Sequence, residues 1–198
     1  MLLWPSTPVP GAVLLPYRDG IAVIGWKQWQ VHDGTTWGPR RDLPLAGAGS
    51  ATATVLGPTH IFIAVGGRYS NRLRSERRGA LVVADYQDGK WNKRILETSD
   101  VGDTILTASG EAVFCFYVKA VSEGGREIAN EVRYRRWKAG KWGESVLVAR
   151  ESFRINRLAA PIVCPPDYAA VWWDQRKQGG TAGRTKASAL RFARVPNP

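Results

Sequence analysis

The sequence is poor in the residues that most often build catalytic and redox centres. It has two cysteines, two histidines and one methionine in 198 residues. Cys115 and Cys164 cannot make a disulfide framework, and two buried free thiols are compatible with a cytoplasmic setting. His32 and His60 argue against a multi-histidine metal site and against most Ser-His triads. No metal, cofactor or catalytic residue is therefore assigned. No apolar run approaches the ~20 residues that a membrane-spanning helix needs. The first 16 residues are apolar, but they hold Pro5, Pro8 and Pro10 and lack a basic leading segment, which makes a poor signal peptide. The compartment stays open. Acidic residues are the scarce charge, 17 against 28 Lys and Arg, for a net charge of +11 and an isoelectric point near 10.1. That balance favours polyanionic partners: acidic glycan, nucleic acid or an anionic surface. No window sustains a 3.6-residue apolar period, so amphipathic helices are not expected.

What is present points to β-structure. Hydrophobic residues make up 44% of the chain and charged residues 23%, enough for one globular domain over residues 1–198. There are nine Trp, 21 Gly and 12 Pro. Short β-branched and aromatic runs alternate with Gly, Pro, Asp and Asn, the signature of an all-β fold.

Two devices recur. One is a tight turn followed by tryptophan: Asp33-Gly34-Thr35-Thr36-Trp37, Asp88-Gly89-Lys90-Trp91 and Ala139-Gly140-Lys141-Trp142. Asp-Gly tolerates the positive φ of a tight hairpin. The other is a continuous apolar run, at residues 21–26, 61–65, 113–118 and 169–173. A strand that is apolar at every position is buried on both faces. Together they spell a four-stranded meander: weak strand, apolar strand, polar strand, Trp strand. The repeat predicts a small β-propeller of four blades with four antiparallel strands each. The last unit has only three strands, at 156–164, 169–173 and 187–195. Leu3 and Trp4 are the expected missing strand, so that the N-terminus closes the ring and leaves no open edge.

In such a ring the connections between second and third strands gather at one mouth. Residues 66–78 hold Arg68, Arg72, Arg74, Arg77 and Arg78 against Glu76. Residues 174–187 hold Arg176, Lys177, Arg184 and Lys186 against Asp174. Residues 119–130 form the third long loop, with balanced charge. Guanidinium groups match carboxylate, sulfate and phosphate through a bidentate fork.

The Asp-Gly-x-Trp hairpins resemble the Asp-box repeats of sialidase-like propellers, although Asp33 and Asp88 stand directly before glycine where that repeat has an intervening residue. The last unit is more specific. Phe153-Arg154-Ile155-Asn156 is similar to the Phe-Arg-Ile-Pro motif of that family. The segment from Asp174 to Ala182, Asp-Gln-Arg-Lys-Gln-Gly-Gly-Thr-Ala, is similar to its Asp-x-Arg-x-x-Gly-Gly-x-Asp. The resemblance implies that Arg154 and Arg176 grip a sugar carboxylate. It also places Ala182 where the family has its acid/base aspartate. Without that proton donor a glycosidic oxygen has no assisted departure, so binding without hydrolysis is implied.

The expectation is therefore a lectin-like module for an acidic carbohydrate. Arg154 and Arg176 pair with the anionic group in the segment begun by Asp174. Arg68 and Arg157 add attraction, and Trp173 offers a stacking surface. Trp172 and Trp173, being adjacent, point to opposite faces of their strand. The alternatives are a basic nucleic-acid-binding module, for which clustered Lys and Arg suffice, an assembly scaffold, and a glycoside hydrolase using Asp100, Asp103 or Glu151. Those three carboxylates are placed in the loops between units.

Overall fold

The computed structural model describes residues 12–25, 27–45, 52–66, 79–152, 154–176 and 189–198. For Arg126, Arg154, Asn156, Gln175 and Arg176 the description covers the main chain. All regular elements among these residues are strands, and pairing is antiparallel except at one short ladder. The first sheet is the meander β1 (Val13–Tyr17), β2 (Gly20–Ile24), β3 (Gln28–His32) and β4 (Arg41–Asp42). The second runs from β5 (Thr52–Leu56) through β6 (His60–Val65), β7 (Gly79–Gln87), β8 (Lys90–Ser109), β9 (Ala112–Glu123) and β10 (Arg126–Lys138) to β11 (Lys141–Trp142). β12 (Val146–Glu151) also pairs with β10, past a bulge. The third sheet orders β13 (Arg154–Ala159), β15 (Tyr168–Arg176) and β16 (Ala189–Pro196). Between its first two strands, β14 (Val163–Cys164) leaves to pair in parallel with β8.

The four apolar runs become β2, β6, β9 and β15, each with a neighbour on both edges. Alternation along them explains the core. On β6, Ile61 and Ile63 pack toward the first sheet with Trp29, Tyr17 and Tyr86. Phe62 and Ala64 turn the other way, onto Val113, Cys115 and Tyr117 of β9. The opposite face of β9, through Phe114, Phe116 and Val118, meets Ile155, Leu158, Val171 and Trp173. Three apolar seams thus separate four successive meanders. Each fully buried aromatic in them contributes roughly 1.5–3 kcal/mol.

The recurring tryptophans fasten these seams. Trp91 packs edge-on against Trp29 at 5.6 Å, and Trp142 meets Phe62 at 6.3 Å. The two later turns carry positive φ at both central residues, 52° and 82° at Asp88-Gly89 and 50° and 83° at Ala139-Gly140, as a two-residue hairpin twisted with its strands requires. The first is built differently. Asp33 Oδ1 accepts the N–H groups of Thr35 and Thr36 at 2.8 and 2.7 Å, a side-chain mimic of a turn.

The structure departs from the expected arrangement in four places. Separate four-stranded blades are not formed, because β8 continues for 20 residues from the second meander into the third. The corner is marked by a φ of 63° at Asp100 and a register shift between Val101 and Thr104. No closed ring is seen among the described residues, and Leu3 and Trp4 lie outside them. Residues 156–164 are not one strand. Pro161, which has no N–H for a ladder, lies between β13 and β14. Beyond it Ile162 O accepts from Ala108 N–H at 3.0 Å and from Thr54 Oγ1 at 2.5 Å. Finally, residues 119–130 are not a loop. β9 and β10 extend to a two-residue turn at Gly124-Gly125, where both φ values are positive.

Candidate functional site

The residues singled out on the last meander meet at one end of the third sheet. Register places Arg154 directly opposite Arg176, and Ile155 opposite Gln175. The ladder then slips before Leu158 pairs with Trp173. That bulge holds Asn156 and Arg157, and two carboxylates fasten it. Asp174 Oδ1 accepts the Arg157 N–H at 2.8 Å, and Asp103 Oδ2 accepts the Leu158 N–H at 2.7 Å. The Arg157 side chain is exposed. Arg68 and Ala182 lie outside the described residues.

Trp173 cannot serve as a stacking platform. It is 4% exposed, its ring belongs to the seam against β9, and its indole N–H donates to Glu151 Oε1 at 3.3 Å. Trp172 takes the opposite face and packs on Phe192 at 5.1 Å.

The three carboxylates placed in inter-unit loops lie on strands instead. Asp100 and Asp103 are within β8, and Glu151 ends β12. Each already accepts a hydrogen bond: Asp100 from Ser99 Oγ, Asp103 from Leu158, Glu151 from Trp173. Burial pushes the Asp103 carboxyl above the usual range. The N–H groups of Leu158 and Thr104 and the charge of Arg157 pull it down, but not enough, and Asp174 adds to the rise.

Next to this end a charged cleft of about 600 Å³ opens beside β8, β9 and β10. On β10 the alternation of Glu131, Arg133 and Arg135 sets three charges on one face. Glu97 is its hub. Lys119 Nζ donates to it at 2.9 Å, Arg135 Nη2 at 2.9 Å, and the Tyr117 hydroxyl at 2.9 Å. Burial alone would raise the Glu97 carboxyl, yet these three donors hold it down at about 2. Burial raises Tyr117, which remains protonated up to about 12. Arg133 bridges Glu131 at 2.6 Å and Ser145 Oγ at 2.7 Å. The cleft is thus an internally compensated ion network. Sequence reasoning missed it, although the polar alternation along β10 was a signal. Among the described residues no group of three or more His, Cys, Asp or Glu stands together as a metal site. No helix there is long and apolar enough to cross a membrane.

Comparisons with known proteins add little to this geometry. No family model matches the chain, and no curated protein matches it. Among solved structures it is similar to a chain from the crystal structure of a eukaryotic initiation factor, at 11% sequence identity and a TM-score of 0.36. The match covers 93% of this chain and 56% of the other, a likeness too slight to assign a fold family.

Proposed function

We propose that this chain is a non-catalytic binding module of the sialidase-like propeller type, and that it holds an acidic carbohydrate at the strand end where Arg154 and Arg176 meet. The observation that carries the reading is their register: two arginines 22 positions apart in sequence are direct partners across β13 and β15. Arg157 stands exposed beside them, on a bulge held open by Asp174 and Asp103. Guanidinium groups suit a carboxylate. The ring architecture is supported by four meanders separated by three apolar seams in chain order. In this reading β16, an edge strand among the described residues, receives the segment around Leu3 and Trp4. Ala182 in place of an acid/base aspartate, and Asp100, Asp103 and Glu151 already engaged as acceptors, favour binding over hydrolysis.

A glycan array with acidic oligosaccharides and their neutral counterparts tests this. Acidic glycans should be retained preferentially, and Arg176→Ala or Arg154→Ala should weaken them by about tenfold or more. Equal retention of neutral glycans, or unchanged binding in both variants, would overturn it. One observation favours nucleic acid as a second reading: the first half of β8 exposes Lys90, Lys93 and Arg94. Affinity for single- or double-stranded DNA that falls steeply with salt would select it.

A further inference from the structure

Among the described residues, the first and last meanders each carry an apolar face that belongs to none of the three seams. The apolar runs within β2 and β15 match those of β6 and β9, yet each gives only one side to a seam. On the third sheet Ala169, Val171 and Trp173 face β9, so alternation turns Tyr168, Ala170 and Trp172 the other way. Register sets Phe192 opposite Trp172 and Leu190 opposite Asp174 on that outer side. Leu190 is 75% exposed and Phe192 50%, and contiguous apolar surface of this kind marks an interaction face. On the first sheet Leu15, Ala22, Ile24 and Trp29 face the second. Leu14, Ile21, Val23 and His32 are left on the far side, with Leu14 in the open. The seams also have a regular construction. Trp91 of the second meander reaches back to Trp29 of the first, and Trp142 of the third reaches back to Phe62 of the second. Trp37 holds the same place in the first meander, edge-on to His32 at 4.8 Å and so on the far side of the first sheet. Its counterparts on the outer side of a preceding meander are Trp172 and Phe192, with ring centroids 5.1 Å apart. The chain thus carries both halves of one more seam, on its first and last sheets.

We infer that two copies of this chain pair through these faces, the third sheet of each against the first sheet of the other. A single chain does not bring the two faces together: among the described residues no core cluster joins the first sheet to the third. β8 runs unbroken through the second and third meanders, and close-packed seams resist bending. A second copy supplies what each end lacks, with Trp37 of one against Trp172 and Phe192 of the other. A contact between unlike faces closes when the rotation brings the second pair of faces together, and two copies then share two identical seams. Their eight meanders complete a ring with no exposed end face. The segment around Leu3 and Trp4 leads into β1, so the strand that β16 receives in the function proposed above comes from the second copy. The faces pair whether or not that strand does.

Sedimentation equilibrium of the full chain tests this. From about 1 µM to about 1 mM the mass should rise from that of one chain, 21.8 kDa, to twice that value and stop there. Phe192→Glu or Leu190→Glu, and separately Leu14→Glu, should each raise the dissociation constant at least about tenfold, as loss of an interface anchor does. All three positions are exposed in the single chain, so thermal melts at low concentration should show folded monomers. A mixture of Phe192→Glu with Leu14→Glu should dimerise more tightly than either variant alone, because one of its two seams joins two intact faces. A single-chain mass at every concentration would overturn the inference. So would masses that climb past two copies, the mark of an open chain of subunits. No effect of Leu14→Glu beside a strong effect of Phe192→Glu would overturn it too, since like faces would then be pairing. The readout is mass and uses no glycan, so a negative glycan array leaves the pairing standing, and a failed pairing leaves the site at Arg154 and Arg176 standing.

Discussion

Tyr117 donates its hydroxyl proton to Glu97 at 2.9 Å, from the centre of a strand with no exposed side-chain surface at that position. The phenol comes from β9 and the carboxylate from the middle of β8, and Lys119 and Arg135 close around the same carboxylate. This arrangement has a definite pH signature.

The folded-state value of Glu97 is about 2, against an ordinary 4.5. A lowered carboxylate contributes its stability above the unfolded value and loses it as pH falls from about 4.5 toward 2. Glu97→Gln should therefore destabilise the protein at neutral pH by about 1.5–3 kcal/mol, the worth of charge-assisted hydrogen bonds. The difference from the parent should shrink steadily below about pH 4.5. Urea midpoints across that interval would show it; a gap that is the same at every pH would rule the network out as a source of acid sensitivity.

Asp103 predicts the opposite slope. Its carboxyl is raised by burial, so its charged form is the penalised one, and its contribution is greatest below the unfolded value and declines as pH rises. Asp103→Asn keeps an acceptor for the Leu158 N–H and removes the charge. Its stability relative to the parent should improve as pH rises above the ordinary carboxylate value of 3.8. Asp103→Ala leaves that N–H without its partner and should cost about 1–3 kcal/mol. Thermal melts of the two variants decide it, and equal losses in both would show that the hydrogen bond is immaterial.

The cysteines should be silent in the native state. Both are buried, and burial pushes the Cys115 thiol far above its usual range. Cys164 Sγ lies 3.3 Å from Thr107 Oγ1. Since the thiolate is the reactive form, a chromogenic thiol reagent should label neither residue until urea is added, and then both. Rapid labelling of the folded protein would mean that the seam around β9 opens on that timescale.

Much of the fold was legible in residue order. The runs beginning at Ile21, Ile61, Val113 and Ala169 are the interior strands, because only a strand covered on both faces can be apolar at every position. Asp88-Gly89 makes the turn its chemistry favours, and Gly140 lets Ala139-Gly140 make the same turn with Ala139 at a φ of 50°. Arg154 and Arg176, singled out by resemblance, do pair in register. Other features left no mark in any one window. The continuity of β8 through Asp100 depends on β7 and β9 both pairing with it. The charged cleft needs Glu97 to meet Arg135 across 38 positions. The first seam needs Trp29 of β3 to meet Tyr86 of β7, far apart in the chain, at 4.6 Å. Trp173 reads as a stacking surface in sequence because adjacent tryptophans point to opposite faces of their strand, and its burial comes from packing against β9.

By itself, then, the order of amino acids determined the four interior strands and the tight turns at Asp88-Gly89 and Ala139-Gly140. Those properties follow from side-chain periodicity and from backbone angles set within a few residues. Tertiary structure alone decided which charges compensate one another, here Glu97 with Lys119 and Arg135, and Glu131 with Arg133. Compensation is a matter of distance between side chains, and distance between residues far apart in the chain is created only when the sheets pack.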